Sequence, residues 1–205
     1  MIITAIETWR KGKYLISLND EPSFVLYSSE LKKYGLKEGN ELDDALWESI
    51  LQETLIKRAK SRTLHLLDKQ DRTEKQLREK LKEGMYPEEA IDAAVEAAKR
   101  GNYLNDERFA SQYAYEKSRV KSRKVIEMEL INKGIDRQIV ADAMQEIEDS
   151  DSGLIKKLIT KKCTDPSELD FPAEQKLMRY LLGKGFSMSD IRREISEWKE
   201  ENGAS

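Results

Sequence analysis

The apolar positions change their period once along the chain. Up to about residue 41 they fall in short runs rich in β-branched and aromatic side chains: "IITAIETW", "KYLISLN" and "SFVLY". Side chains of this kind suit a pleated, half-buried surface. Arg10-Lys11-Gly12 and Asn19-Asp20-Glu21-Pro22 punctuate the runs as turns, so the pattern predicts a small antiparallel sheet. "SSELKKYG" then reads as a helical turn, capped by Ser28 or Ser29 and stopped by Gly35. From Asp43 the period becomes helical: Leu46, Ile50, Leu51, Leu55 and Ala59 recur at three- and four-residue steps. One long helix or two abutting ones are expected there.

Beyond that helix the pattern repeats. Ala90, Ile91, Ala94, Val95 and Ala98 follow Gly84, and Ile139, Val140, Ala143, Met144 and Ile147 follow Gly134 with the same spacing, 49 residues on. Ile191, Ile195 and Trp198 follow Gly185, a further 51 residues on. Upstream, Leu77 and Leu81 match Ile126 and Leu130, then Leu177 and Leu181, always 14 residues before the next helix's marker. Each glycine sits where a helix stops and positive φ is wanted, which a residue without Cβ adopts freely. Each unit also opens on a helix: Phe109, Ala110, Tyr113 and Ala114 in the second, Leu154, Ile155, Leu158 and Ile159 in the third, and a less regular run around Ala59, Leu64 and Leu67 in the first.

The fold class follows: mainly α, a tandem array of three three-helix repeats of about 50 residues each, with a small N-terminal antiparallel β element. The expected divisions are a β-rich extension over 1–42, a linking helix with repeat 1 over 43–103, repeat 2 over 104–150 and repeat 3 over 151–205. The third repeat carries about six extra residues in "KKCTDPSELDFP". A 50-residue unit buries little core by itself, so neighbouring repeats are expected to stack into an elongated array.

The junction "RGNYLNDERFASQYAYEKSR" mixes polar and apolar residues in a way that could suggest chemistry. Local structure accounts for it. Gly101 ends a helix, Asn105 is a plausible N-cap, and Asp106 and Glu107 fall in a first turn where the helix dipole favours negative charge. Leu104 and Phe109 stand at the positions of a hydrophobic staple, and Thr73 with Gln76 at those of a capping box.

Candidate chemistry is thin. His65 is the only histidine and Cys163 the only cysteine, which disfavours a transition-metal site and excludes an intrachain disulfide. Cys163, beside Lys161 and Lys162, reads as an incidental thiol near a loop. No Gly-x-Ser-x-Gly, Walker A or Gly-x-Gly-x-x-Gly motif occurs. A non-enzyme without cofactor is expected. With neither a signal peptide nor a long apolar run, a soluble cytoplasmic protein is expected, without a membrane partner.

Local charge is more informative than the formal net charge of −3. Over residues 57–80 nine basic residues face four acidic ones. Lys117, Arg119, Lys121, Arg123 and Lys124 lie within eight residues that contain no acid. Asp142, Glu146, Glu148, Asp149 and Asp151 form an acidic stretch with no basic neighbour between 138 and 152. Basic runs suit a phosphate backbone or an acidic protein surface. Arg58, Arg62, Arg72, Lys75, Arg78, Lys117, Arg119, Lys121, Arg123 and Lys124 are therefore the candidate partner or DNA contacts. Reversing Lys121, Arg123 and Lys124 to Glu is expected to weaken binding without unfolding the chain. Tyr103, Tyr113 and Tyr115 are aromatic enough to stack on bases, but Tyr113 falls on the core face.

The "GNYLNDERFASQY" opening of the second unit, the "ELINKGI" close of its second helix and "RTEKQLREKL" in the first resemble the RecX family of bacterial recombination regulators, over roughly residues 43–200. The N-terminal strands look like the extension of the longer members. The resemblance implies a regulator that binds RecA, lodges in the groove of the RecA filament on single-stranded DNA, and inhibits recombinase, ATPase and coprotease activities. It implies a role in DNA repair, recombination and the SOS response, with direct DNA contact an added expectation and a monomer suiting the charged faces. Family members often carry a glycine just before the second helix of unit two, where this chain has Ser122, so the geometry of that junction should differ. Two rival readings stand beside it: a nucleic-acid-binding repeat protein with no RecA role, and a helical scaffold that uses the acidic stretch for another partner.

Overall fold

The computed structural model describes residues 1–147 and 151–203. The chain divides into two compact units, Met1–Asn105 and Asp106–Ser205. In the first, β1 (Ile3–Arg10), β2 (Lys13–Leu18) and β3 (Glu21–Tyr27) form an antiparallel meander in the order β1-β2-β3. Both turns are tighter than the sequence suggests. Lys11–Gly12 joins β1 to β2, and Asn19–Asp20 joins β2 to β3, while Glu21 and Pro22 already belong to β3. Asn19 and Asp20 have φ of 49° and 69°, the left-handed pair a two-residue hairpin needs and that Asn and Asp tolerate. Pro22, which has no N–H to donate, lies on an edge strand beside a register shift.

Helix α1 (Ser28–Tyr34) begins one residue earlier than a serine cap would place it. The N-cap position is Tyr27, whose backbone N–H donates to the Glu30 carboxylate at 2.6 Å, and Gly35 ends the helix at φ 62°. The long helix is continuous but changes gait. Helix α2 (Asp44–Ile50), capped by Asp43 on the Leu46 N–H at 2.7 Å, passes through a π-helical turn (Leu51–Leu55) into α3 (Ile56–Lys69). The wider turn stacks residues five apart, which puts Ile50 over Leu55 and Leu51 over Ile56 on one buried face. Tyr34 and Lys33 of α1 clasp the same turn through Thr54 at 2.7 Å and Glu53 at 2.8 Å. Farther along α3 the buried face runs through Ala59, Thr63 and Leu66, and Leu64 points to solvent.

Helices α4 (Glu74–Lys82) and α5 (Glu88–Arg100) complete repeat 1. Thr73 and Gln76 form the reciprocal capping box, each bond 3.3 Å. Ile16, Phe24 and Leu26 of the sheet pack in the same core as Ile50, Leu55, Leu77, Leu81, Ile91 and Val95. The strands and the first repeat are thus built around one core.

The second unit holds α6 (Asp106–Lys117), α7 (Arg123–Asn132) and α8 (Arg137–Gln145), then α9 (Asp151–Lys162), a 3₁₀ turn (Pro166–Glu168), α10 (Phe171–Leu182) and α11 (Met188–Gly203). Each set of three helices has its own core. One is centred on Ala110, Ala114, Ile126, Leu130 and Val140, the other on Ile155, Ile159, Leu181, Ile191 and Trp198. Leu104 packs in the first unit's core and Phe109 against the core of repeat 2.

The turns after α4, α7 and α10 are equivalent, with one correction to the sequence alignment. The left-handed residue is Gly134 at φ 87° and Gly185 at φ 89°, but in repeat 1 it is Met85 at φ 56°, not Gly84. The next residue then turns inward in all three, as Tyr86, Ile135 and Phe186, and its N–H reaches back to Leu81, Leu130 or Leu181.

Candidate functional site: the basic surfaces

The ten basic residues do not form one kind of site. In the first unit Arg58 is largely committed to the fold. It pairs with Glu30 at 2.8 Å, donates to the Val25 carbonyl and lies over the Tyr27 ring at 4.9 Å. Arg78 is the centre of a network with Glu74 at 2.8 Å, Asp92 at 2.7 Å and Glu88 at 3.4 Å. Glu74 also takes Lys99 at 2.6 Å. Burial alone would raise the Glu74 carboxyl, but the Lys99 and Arg78 cations outweigh it and hold it below the usual carboxylate range. Arg72 is half-buried, with its Nε out of contact with any hydrogen-bond acceptor. Arg62 and Lys75 project from exposed positions.

In the second unit the cluster separates in the same way. Arg123 donates to the Met144 carbonyl and, at 3.2 Å, to the Ile147 carbonyl, covering the negative C-terminal end of α8, while its backbone N–H meets Asp151 at 3.0 Å. Lys121 pairs with Glu129, which also accepts from the Tyr113 hydroxyl at 2.8 Å. Lys117 is half-buried above the Tyr113 ring. Arg119 is exposed and lies on Tyr115, donating to its hydroxyl at 2.6 Å. Lys124 is exposed. Reversing Lys121, Arg123 and Lys124 together therefore removes contacts that hold repeat 2, and the expectation that the fold is left untouched does not stand. Of the acidic stretch, Asp142 accepts from Gln138 and Asp151 from Arg123, while Glu148 and Asp149 lie outside the described residues.

Arg58 and Arg62 share a solvent-open cleft of about 590 Å³ with Trp9, Arg10, Lys13, Tyr27 and Tyr86, in the first unit. The strand residues were missed in the sequence because no local charge run contains them. Arg10 and Lys11 read as turn residues, and only the packing of the sheet on α3 brings Arg10 and Lys13 into the same cleft as Arg62. Cys163 is buried, its thiol on the Asp165 carbonyl at 3.1 Å. Among the described residues, no group of three or more His, Cys, Asp or Glu is placed to hold a metal ion, and no helix is long and apolar enough to cross a membrane.

The three-helix sets and the strand meander define a helical-repeat protein in which exposed cations stand beside others committed to the fold. The chain belongs to the RecX family: models of the first, second and third RecX three-helix domains match residues 59–96, 105–144 and 149–195. "Regulatory protein RecX" of Caldanaerobacter subterraneus subsp. tengcongensis is 30% identical over 200 residues, covering 96% of this chain and 99% of that protein. The protein of the same name from Clostridium acetobutylicum is 29% identical, covering 98% and 97%. A crystal structure of a regulatory protein RecX, 30% identical, covers 96% of this chain and 98% of that one with a TM-score of 0.59. The structure of RecX from Lactobacillus salivarius, 28% identical, covers 71% and 97%, also with a TM-score of 0.59.

Proposed function

We propose that this protein is a cytoplasmic, non-enzymatic regulator of RecA. It binds RecA and the RecA filament on single-stranded DNA as a monomer and restrains recombinase, ATPase and coprotease activity. The observation that carries this reading is the presence of all three RecX three-helix domains in tandem on one chain. Repeated modules suit a repeated partner, because each further contact along a filament is intramolecular and adds avidity without new chemistry. Arg62 and Lys75 in the first unit, with Arg119 and Lys124 in the second, are the exposed cations through which it meets acidic protein surface or phosphate. Arg58, Arg78, Lys121 and Arg123 act on binding mainly by holding the repeats in shape.

The test is ATP hydrolysis by the matching RecA on single-stranded DNA, titrated with this protein. Suppression at well below one copy per RecA protomer is the expected result. Unchanged hydrolysis with a chain shown folded by circular dichroism would sink the regulator reading.

A further inference from the structure

We propose that the cleft between the N-terminal sheet and α3 is a binding site for single-stranded nucleic acid. In it Arg10, Lys13 and Arg62 take the phosphates, and Trp9, Tyr27 and Tyr86 offer ring faces to the bases.

The charge in this cleft is unusual for the chain. Acidic residues outnumber basic ones, 39 to 36, so composition does not by itself bring cations together on one surface. In the cleft Arg58 is neutralised by Glu30 and Lys80 by Glu83, both at 2.8 Å. Arg10, Lys13 and Arg62 have no carboxylate within ion-pair distance among the described residues, yet all three line one concavity. They come from β1, β2 and α3, so no run of charge along one solvated helix explains their meeting. Three unpaired cations on a concave wall focus positive potential into it.

The aromatic rings narrow the ligand class. The Arg10 guanidinium lies 4.4 Å from the Trp9 ring centroid, and the Lys13 ammonium 5.1 Å from that of Tyr27. Arg10 and Lys13 reach these rings on long side chains, so when a phosphate draws either cation away a base can take its place on the ring face. Arg58, pinned at Glu30 and Val25, lies between Tyr27 and Tyr86 at 4.9 Å and 5.8 Å and keeps both rings in place. An acidic peptide would use the cations and leave the rings idle. Duplex DNA would offer phosphates but keep its bases stacked inside. An unpaired strand presents both phosphate and free base faces, and base–aromatic stacking with a basic groove is how such strands are held without sequence preference. The volume, about 590 Å³, falls within the roughly 300–1,000 Å³ of ligand sites.

The site shares Arg62 with the RecA reading, but its test contains no RecA, so the two can fail separately. The full chain is titrated with a fluorescein-labelled oligothymidylate, read by anisotropy and by quenching of intrinsic tryptophan fluorescence. Arg10→Ala/Lys13→Ala/Arg62→Ala is expected to weaken binding by about tenfold or more and to flatten the log–log salt dependence by about 2, at roughly 0.7 per lost phosphate contact. Trp9→Ala is expected to weaken binding about fivefold and to remove the quenching. Those three cations have no carboxylate partners to lose, so the triple variant should keep its circular dichroism spectrum. Failure of the wild-type chain to bind at low salt overturns the proposal, as does a folded triple variant of unchanged affinity. Equal competition by a duplex or by polyglutamate overturns the single-strand assignment. Competition by free thymidine monophosphate at the same nucleotide concentration replaces the strand with a mononucleotide.

Discussion

The hydroxyl of Ser122 donates to the carbonyl of Gly185 at 2.8 Å, across 63 residues of sequence. The Ser122 backbone N–H meets the neighbouring Lys184 carbonyl at 3.1 Å, and its oxygen also caps α7 through the Val125 N–H at 3.4 Å. One buried serine therefore starts a helix of repeat 2 and docks the α10–α11 turn of repeat 3 against it. The approach is so close that a Cβ on Gly185 would lie 2.2 Å from Val125 Cγ2 and 2.7 Å from Ser122 Oγ.

Two glycines two residues apart should consequently behave in opposite ways. Gly185→Ala meets both a clash and a φ of +89°, and is expected to cost about 3 kcal/mol. Gly183→Ala has a helical backbone and its nearest neighbours at an ordinary 3.4 Å, so it should be neutral or stabilising by about 0.5 kcal/mol. Ser122→Ala removes cap and dock together, for about 1–2 kcal/mol. Urea unfolding midpoints of the three variants check the order.

Neighbouring cations on α7 should separate folding from binding. Arg123→Glu loses two hydrogen bonds to the end of α8 and sets a carboxylate beside its negative pole and Asp151, at an expected cost of about 2–3 kcal/mol. Lys124→Glu, at an exposed position, should leave the urea midpoint where it is and raise the concentration needed to restrain RecA ATP hydrolysis. Equal loss of stability in both variants would contradict this division.

The division could not have been read from the sequence. Repeat periods were legible because burial imposes them: Leu77, Ile126 and Leu177 all occupy cores, as do Ile91, Val140 and Ile191. Charge has no comparable period. Arg123 stands three residues before Ile126, where the other repeats place Glu74 and Glu174, and those two pair with Lys99 and Lys199 at 2.6 Å and 2.5 Å. A charge run records that arginine as a surface cation, whereas its partners are backbone carbonyls invisible in one dimension. Turn geometry was legible only to within a residue, because Met85 accepts the left-handed conformation assigned to Gly84. The cleft was hidden altogether, since its walls lie about fifty residues apart in the chain.

The Tyr113–Glu129–Lys121 group predicts a defined pH response within repeat 2. Burial would raise the Glu129 carboxyl, but the Lys121 ammonium and Tyr113 hydroxyl overcome this and hold it below the usual carboxylate range. Its stabilisation is present above the unfolded value of about 4 and is lost as pH falls through the lower folded value. Burial, then the hydrogen bond to Glu129, pushes Tyr113 up to about 12. That phenol's contribution is present below the unfolded value of about 10 and is lost as pH rises through the folded one. Glu129→Gln should cost about 1 kcal/mol at neutral pH, the pair being partly exposed, and should flatten the acid limb of a plot of urea midpoint against pH. Tyr113→Phe should flatten the alkaline limb.

Glu194 offers the opposite sign. Its side chain is 1% exposed on the inner face of α11, among Ile191, Ile195 and Trp198. Arg193 donates to Oε1 at 3.1 Å and 3.2 Å, but Oε2 makes no hydrogen bond, and the nearest ammonium, that of Lys156, stands 3.9 Å away. Lys156 has better partners in Glu197 at 3.1 Å and Glu201 at 3.0 Å. A buried carboxylate with one unsatisfied oxygen costs more in lost hydration than a long ion pair returns. Glu194→Met keeps the volume and removes the charge, and is expected to raise stability by about 1 kcal/mol, read as a later urea midpoint with an unchanged slope. A loss of stability of the same size would mean that Arg193 and Lys156 depend on this carboxylate more than it depends on them, and that the charge is part of what holds α9 to α11.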